Sequence, residues 1–357
     1  MLAHFEIFGE GLGPAFLALE LADQGQKVTW IRKKEADSQI SVQRAAPIVW
    51  GKLKRIFIRH NLLVREIENT PRQKGWIFLN PKKPDYSQVE YDRDWHSDEN
   101  FRWIFSSTLE GHLYDLCFLR GVGFSDSLST SSKTATVRID FRPPKTKEAS
   151  PKKETLHLQV YLRPLQNLAL QNPRQEFLVF CHLNGVQILS EPHPGGGWIL
   201  NLRGDSAHQI EKELEFCFSK NGPAYFQGLG LGSLSQSPRY WRHESAFAPK
   251  SSFEIDGDTV GLGRFWGRHS SVFHSDLHFD FLSIERFLKF QSRLMRFNDW
   301  VEMNREIKRF NEQELNFSRD FALRSRISQS LVLNFPFLRK FVPAFSPQRR
   351  AEFPSPI

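Results

Sequence analysis

A glycine-rich turn close to the N-terminus is the sequence feature that most constrains this fold. A short apolar segment, His4–Phe8, leads into Gly9-Glu-Gly-Leu-Gly-Pro14, and the helix-favouring stretch 15–22 follows. Gly25 is placed to end that helix, and residues 27–31 have the composition of a second strand. A strand, a glycine turn, a helix and a second strand in this order are typical of a unit that binds a dinucleotide. We therefore expect residues 1–34 to form such a βαβ unit.

Each residue of the turn has a physical role in this interpretation. Gly9 permits the tight turn, and Gly11 lets the backbone approach a pyrophosphate that the amides at the helix start hold. Pro14 stands where a third glycine is usual, and proline is tolerated in the first turn of a helix. It removes one amide donor, while Gly13 beside it keeps a close approach possible. Gly9, Gly11, Gly13 and Pro14 are thus candidate cofactor-binding residues.

The end of the predicted second strand carries Arg32, followed by two lysines, where an acidic residue usually binds the ribose hydroxyls. An arginine there can accommodate a ribose 2′-phosphate, which points to NADP, and a surface basic run explains it equally well. Residues 38–63 have near-helical apolar spacing, with a kink or break expected at Pro47. Arg44 in that stretch is a further candidate for contact with the cofactor.

The middle of the chain has the pattern of a second, mainly antiparallel sheet. Four runs alternate or stay apolar as strands do: 134–141, 156–162, 177–183 and 197–202. Residues 206–219 follow with the spacing of an amphipathic helix, and a long helical region is expected from about 270 to 310.

Two later segments also carry recognisable sequence patterns, and we call them the middle landmark and the last landmark. The first is Tyr114-Asp-Leu-Cys-Phe-Leu-Arg-Gly-Val-Gly-Phe-Ser125, and the second is Ile255-Asp-Gly-Asp-Thr-Val-Gly-Leu-Gly263. Together with the N-terminal unit, and in this order, they resemble the FAD-dependent aromatic hydroxylase, halogenase and lycopene-cyclase superfamily. The resemblance implies an α/β fold: a Rossmann-like FAD/NAD(P)-binding domain, a second, mainly antiparallel β-sheet lobe for the substrate, and C-terminal helices. It also implies that the first of the two segments, 114–125, is a strand.

The resemblance also implies roles for individual residues near the last landmark. A strand would end at Gly257-Asp258, and Asp258 would bind the ribityl chain. The loop with Gly261 and Gly263, together with the following helix start, would face the pyrimidine edge of the flavin and stabilise its anionic reduced form. An ordinary turn with an Asp N-cap is the structural alternative for Gly257-Asp258.

This chain departs from the pattern of the superfamily at three places. The ribose acid is Arg32, the acid of the middle landmark aligns near Arg120, and one glycine is Pro14. These changes leave open a weakly held flavin, a different nucleotide, or a fold without catalysis.

We expect a discontinuous FAD/NAD(P)-binding domain from residues 1–75, 110–130 and 250–315. Residues 76–109 and 131–249 would form the sheet lobe, and 316–357 a C-terminal arm.

The leading functional hypothesis is an FAD-dependent, monooxygenase-like oxidoreductase acting on an apolar or aromatic small molecule. One alternative is an NADPH-dependent reductase, and another is a non-catalytic binding protein with the same fold. NADPH is also a candidate electron donor. The sequence assigns no catalytic acid or base.

Other ligand classes receive less support from the sequence. The formal net charge is +8, but no nucleic-acid-binding signature accompanies it. His269, His274 and His278, with Asp276 and Asp280, invite a metal interpretation, yet they complete no known zinc pattern, and we expect no metal.

The tail 331–350 mixes aromatic and cationic residues. It could contact a membrane surface, but its prolines favour an arm packed on the protein itself. The three cysteines are widely spaced in apolar segments, which favours reduced thiols and a cytoplasmic location.

Overall fold

The structure is a computed structural model of the chain. It describes residues 4–32, 42–45, 47–60, 75–79, 86–90, 102–126, 136–142, 155–162, 177–193, 197–227, 237–244, 255, 257–266, 275–297 and 299–334.

The N-terminal βαβ unit is confirmed. Strand β1 (His4–Phe8) is followed by helix α1 (Leu12–Asp23) and by β2 (Lys27–Ile31), which pairs in parallel with β1. Gly25 adopts a φ of 75° in the turn after α1, a backbone region that favours glycine. The apolar side chains of β1 and α1 are buried on both sides, because the unit lies in the middle of the domain core.

Three more strands complete a five-stranded sheet whose described pairs are all parallel. They are β7 (Gly123–Ser125), β8 (Thr136–Asp140) and β14 (Thr259–Gly261), and the spatial order is β14-β8-β1-β2-β7. The chain moves from β1 through β2 towards β7 and then returns to the other side of β1. The strand order therefore reverses between β1 and β8, and ligands of such sheets bind outside the carboxyl ends of the strands at that point. We call the edge where these strands end the carboxyl edge.

Two of the sequence-based assignments in this part of the chain are wrong. Residues 134–141 were expected in the antiparallel lobe, but β8 pairs in parallel with β1 and β14. The landmark 114–125 was expected to be a strand; instead it spans the end of helix α3 (Ser106–Leu119) and all of β7. The buried residues Leu113, Leu116 and Cys117 of α3 follow helical spacing.

The stretch 38–63 is not one helix. Strand β3 (Val42–Ala45) pairs antiparallel with β6 (Arg102–Phe105), and helix α2 (Pro47–Arg59) follows. Pro47 begins the helix rather than kinking it, because a proline at the first helical position lacks only an N–H that would be unpaired there.

The second sheet is mainly antiparallel, as predicted. Its seven strands are β4 (Gly75–Leu79), β5 (Tyr86–Glu90), β9 (Thr155–Leu162), β10 (Phe177–Leu183), β11 (Val186–Pro192), β12 (Trp198–Gly204) and β13 (Arg239–Glu244). They lie in the order β13-β9-β12-β11-β10-β4-β5. Among the described pairs, β4 with β10 is the parallel one.

The two faces of this second sheet belong to different cores. One face packs under helices α4 (Ala207–Phe218) and α5 (Ala224–Gln227). The predicted amphipathic helix is thus present, and the Ser206 hydroxyl caps its first turn by accepting from the Gln209 amide. The opposite face contributes Phe78, Phe180 and Leu189 to the core that surrounds β1 and α1.

Two long helices follow the parallel sheet. They are α6 (Ser275–Leu294) and α7 (Trp300–Asn334), so the predicted helical region is divided near residue 297, and the expected boundary at 315/316 falls inside one helix. The side chain of Asn311 in α7 binds the outer edge of β14. It accepts a hydrogen bond from the Gly261 amide and donates one to the Thr259 carbonyl oxygen. The rest of the predicted C-terminal arm, 335–357, lies outside the described residues.

All three cysteines are free and buried. Burial raises the pKa of the Cys117 and Cys181 thiols to about 12, and it raises the pKa of Cys217 as well. Within the described helices, none has the length and apolar character needed to cross a membrane.

The folded protein should therefore react slowly with a thiol reagent at pH 8. At that pH the buried thiols are both protonated and covered, and the thiolate is the reactive form. We expect little labelling by DTNB in native buffer and labelling of all three cysteines after unfolding in guanidinium chloride. A Phe118→Cys variant is the matched control, because Phe118 is 68% exposed on α3 and a thiol there should react at once. Rapid labelling of the native wild type would contradict the burial described above.

Candidate functional site

The glycine turn lies at the carboxyl end of β1. Gly9 has a φ of 130° and Gly11 a φ of 98°, values that side chains rarely tolerate. The turn is anchored on β2, because the Trp30 indole Nε1 donates to the Gly9 carbonyl oxygen at 2.9 Å. Gly11 is also the N-cap residue of α1. The backbone at Gly9 and Gly11 thus has the form that the sequence analysis predicted for a phosphate-binding turn.

The end of β8 lies beside this turn and carries an ion pair that the sequence analysis missed. Asp140 is opposite Phe8 in the parallel register, and its carboxylate accepts from Arg142 Nη2 at 2.8 Å and from Nε at 3.0 Å. Hydrogen bonding to Asp140 raises the pKa of Arg142. The Arg142 guanidinium carbon is 4.6 Å from the centroid of the Phe8 ring. An acid therefore does end the mid-chain strand next to β1, but it is Asp140 rather than a residue near 120.

The end of β2 also carries a paired arginine. Arg32 Nη2 lies 3.2 Å from Glu110 Oε1 of α3, and both side chains are partly buried. The Arg32 guanidinium covers the rings of Trp30 and Tyr114, at 4.9 and 5.1 Å from their centroids. The missing acid at the end of β2 is thus supplied by a helix 78 residues further on.

Gly257 and Asp258 do not occupy the position expected for them. They precede β14 instead of ending a strand, so they lie away from the carboxyl edge. Arg138 Nη1 is 3.6 Å from Asp258 Oδ2, and the Arg138 amide donates to the Asp258 carbonyl oxygen. The predicted contact of Asp258 with a ribityl chain stays a prediction, and this position gives it no support.

The residues that follow β14 at the carboxyl edge are Gly263 and Arg264, the start of a 3₁₀ helix. The Arg264 amide donates to Asp280 Oδ1 at 2.9 Å, and Arg264 Nε lies 3.2 Å from Asp280 Oδ2. Arg264 Nη2 reaches across to the glycine turn and donates to the Glu10 carbonyl oxygen at 2.7 Å. Arg264 thus connects β14, α6 and the turn after β1.

The glycines around Asp280 allow close packing. A Cβ atom on Gly13 would lie 3.2 Å from the Asp280 Cβ atom. On Gly263, which has a φ of 53°, a Cβ atom would lie only 2.0 Å from Asp280 Oδ1. Gly261 is similarly crowded by the ring of Phe265. The predicted sites Gly13, Gly261 and Gly263 are therefore positions where the backbone approaches neighbouring side chains closely.

The remaining predicted residues are more scattered. Pro14 is buried in the first turn of α1. Arg44 is in β3, and its side chain is not among those that the structure describes. His278 is buried in α6, whereas His269 and His274 lie outside the described residues. The carboxyl edge therefore brings together the predicted residues Gly9, Gly11, Gly13, Pro14, Arg32, Gly261 and Gly263.

The parallel sheet with its glycine turn, joined to a mainly antiparallel second sheet, is also the fold of several solved flavin-dependent enzymes. Solved structures with this arrangement include the flavin-dependent brominase Bmp2, with a TM-score of 0.65, 8% identity, and coverage of 98% of this chain and 90% of the brominase. Another is pqsL of Pseudomonas aeruginosa, described as a probable FAD-dependent monooxygenase, with a TM-score of 0.63, 10% identity and coverage of 98% and 99%.

A third similar structure is a geranylgeranyl bacteriochlorophyll reductase-like protein from Thermoplasma acidophilum, with a TM-score of 0.62, 12% identity and coverage of 98% and 96%. No family model matches the sequence, and no curated protein matches it. The fold predicted from the sequence is thus confirmed by likeness of structure at very low sequence identity.

Replacing Gly263 by alanine should destabilise the protein strongly. The new side chain would force both a positive φ and a collision with Asp280, and we expect a loss of about 3 kcal/mol from strain and overpacking together. Gly25→Ala is the matched control, because its φ is 75° but nothing lies within 4 Å of an added Cβ. It should lose about 1 kcal/mol. Urea unfolding of both variants measures the difference, and equal losses would refute the close packing at Gly263.

Proposed function

We propose that this protein is an FAD-dependent oxidoreductase of the monooxygenase-like class that acts on an apolar or aromatic small molecule. The observation that carries the proposal is the positive-φ turn Gly9–Gly11 at the carboxyl end of β1, at the point where the strand order reverses. In sheets of this kind the backbone amides at such a turn hold the pyrophosphate of a dinucleotide.

The residues at the carboxyl edge fit the polar parts of FAD. Gly11 carries no Cβ, and the cation nearest to the space a Cβ would fill is Arg264, whose Nη2 is 2.9 Å from that position. Glu110 is a partly buried carboxylate beside Arg32 at the end of β2 and offers acceptors for ribose hydroxyls. When bound, FAD would supply the redox chemistry, and the chain would bind it, orient it and exclude water.

The substrate class is supported by the sheet face that turns towards the nucleotide domain. One row across the strands runs through Phe78, Phe180, Leu189, Asn201, Gln159 and Tyr240. Its first half is apolar and aromatic. Its second half is polar: Gln159 donates to Asn201, and Asn201 donates to Glu191, each at 3.2 Å. Most of the side chains in this row are buried, and the face has the mixed apolar and polar character that suits a largely apolar molecule with a polar group at one end.

An NADPH-dependent reductase has less support, because the arginine on which it rests is already engaged by Glu110 and two aromatic rings. A non-catalytic protein remains the alternative from another class, since Arg264 lies against the turn itself. The free, buried cysteines agree with a reducing compartment, and we propose the cytoplasm.

The purified protein should be yellow and should bleach with dithionite. Gly11→Ala should purify without flavin, because the methyl group would push the Arg264 guanidinium away from the turn, whereas Gly25→Ala should keep the flavin. Visible spectra of the three proteins, before and after addition of excess FAD, make this comparison.

A colourless wild type that takes up no added FAD would refute the proposal. In that case a shift in melting temperature on adding NADPH would favour the reductase. Indifference to both nucleotides would favour a binding protein.

A further inference from the structure

Arg264 is held in place from two sides. On one side, its backbone amide and Nε face the Asp280 carboxylate, which is 2% exposed. On the other side, Nη2 donates to the Glu10 carbonyl oxygen. These contacts fix a long side chain that would otherwise lose rotamer freedom on binding a ligand.

The guanidinium still has donors to offer. Arginine has five N–H groups: one N–H of Nη2 donates to Glu10, and the buried Nε lies in the ion pair with Asp280 without a hydrogen bond. The side chain is 34% exposed, so the remaining edge of the fork can be reached from outside. Because Nη2 lies 2.9 Å from the position of a Gly11 Cβ, that edge adjoins the point where the turn allows the closest approach.

The turn itself is short of favourable charge for a diphosphate. It contains the acidic residue Glu10, and Pro14 lacks an N–H in the first turn of α1. A planar guanidinium that can donate two parallel hydrogen bonds is well matched to phosphate oxygens.

We propose that Arg264 is the phosphate-binding cation of this site, holding the pyrophosphate of the dinucleotide against Gly11, with Asp280 as the residue that positions it. The inference deepens the proposed function, from which the dinucleotide is taken, and it assigns the phosphate contact to a residue 254 positions from the turn.

The test measures the affinities of FAD and of ADP for the full-length protein by calorimetry, after bound nucleotide has been removed. Arg264→Ala should weaken both by about 10- to 100-fold, the usual range for a hydrogen bond to a charged group. The affinities of Arg264→Lys should lie between those of the wild type and of Arg264→Ala, because lysine keeps the positive charge but lacks the forked pair of donors. The deficit of Arg264→Ala should shrink in high salt, which screens the wild-type contact.

Two controls keep the result interpretable. Arg239→Ala removes an arginine of similar exposure, 31%, that lies in β13 of the second sheet and pairs with Glu211 of α4, and it should leave both affinities unchanged. The double variant Arg264→Ala/Asp280→Asn avoids leaving Asp280 buried without its counter-charge. Its melting curve should stay close to that of the wild type while its affinities match Arg264→Ala.

The outcomes separate this inference from the proposed function. If Arg264→Ala and the double variant bind FAD as well as the wild type, or more tightly, Arg264 is not a phosphate ligand, while the flavin function stands. If the wild type binds ADP but not FAD, and Arg264→Ala loses ADP, the inference stands and the flavin function fails. A wild type that binds neither nucleotide overturns both.

Discussion

The Asp280 carboxylate is the group around which the carboxyl edge is assembled. It is almost fully buried, it receives the Arg264 amide and faces Arg264 Nε, and it packs against the backbone of Gly13 and Gly263. One side chain of α6 therefore fixes the start of α1 and the end of β14 in relation to each other. A buried ion pair contributes little net stability over an apolar pair of the same volume, yet removing one partner costs about 3–5 kcal/mol. The value of Asp280 thus lies in the position it imposes.

The same principle extends along the whole carboxyl edge. Arginines follow β2, β8 and β14, and each is paired with a carboxylate: Arg32 with Glu110, Arg142 with Asp140, and Arg264 with Asp280. The edge is consequently much less cationic than the arginines alone suggest. Arg142 is also oriented by its partner, because two hydrogen bonds to Asp140 fix the plane of its guanidinium. The departure at Arg32 therefore changes how charge is arranged at this site, and Glu110 compensates the charge of that arginine.

The parts of the fold that could be predicted from the sequence are those defined by residues close to each other along the chain. The strand, glycine turn and helix of the N-terminal unit follow each other directly, and so do Ser206 and the helix it caps. The partners of β8 could not be predicted in this way. Its buried residues Val137 and Ile139 alternate with more exposed ones, a pattern that an antiparallel strand shares.

The position at which β14 ends was even harder to predict from the sequence. The strand has three residues, too few for any periodicity, and a Gly followed by a charged residue occurs both before it, at 257–258, and after it, at 263–264. The partners Glu110 and Asp280 come from helices distant in sequence, so only the tertiary structure reveals them. These are the residues on which the electrostatics of the candidate site depend.

The two faces of the second sheet differ in chemical character. The face under α4 and α5 is apolar and closes its own core, so it stabilises the lobe without reference to a ligand. The opposite face changes character along one row, from Phe78, Phe180 and Leu189 to Asn201 and Gln159. Burying hydrogen-bonded amides and the Glu191 carboxylate costs desolvation energy that an apolar face would avoid. Stability alone gives no reason for polar groups there, and the proposed function assigns them to a polar group on an otherwise apolar substrate.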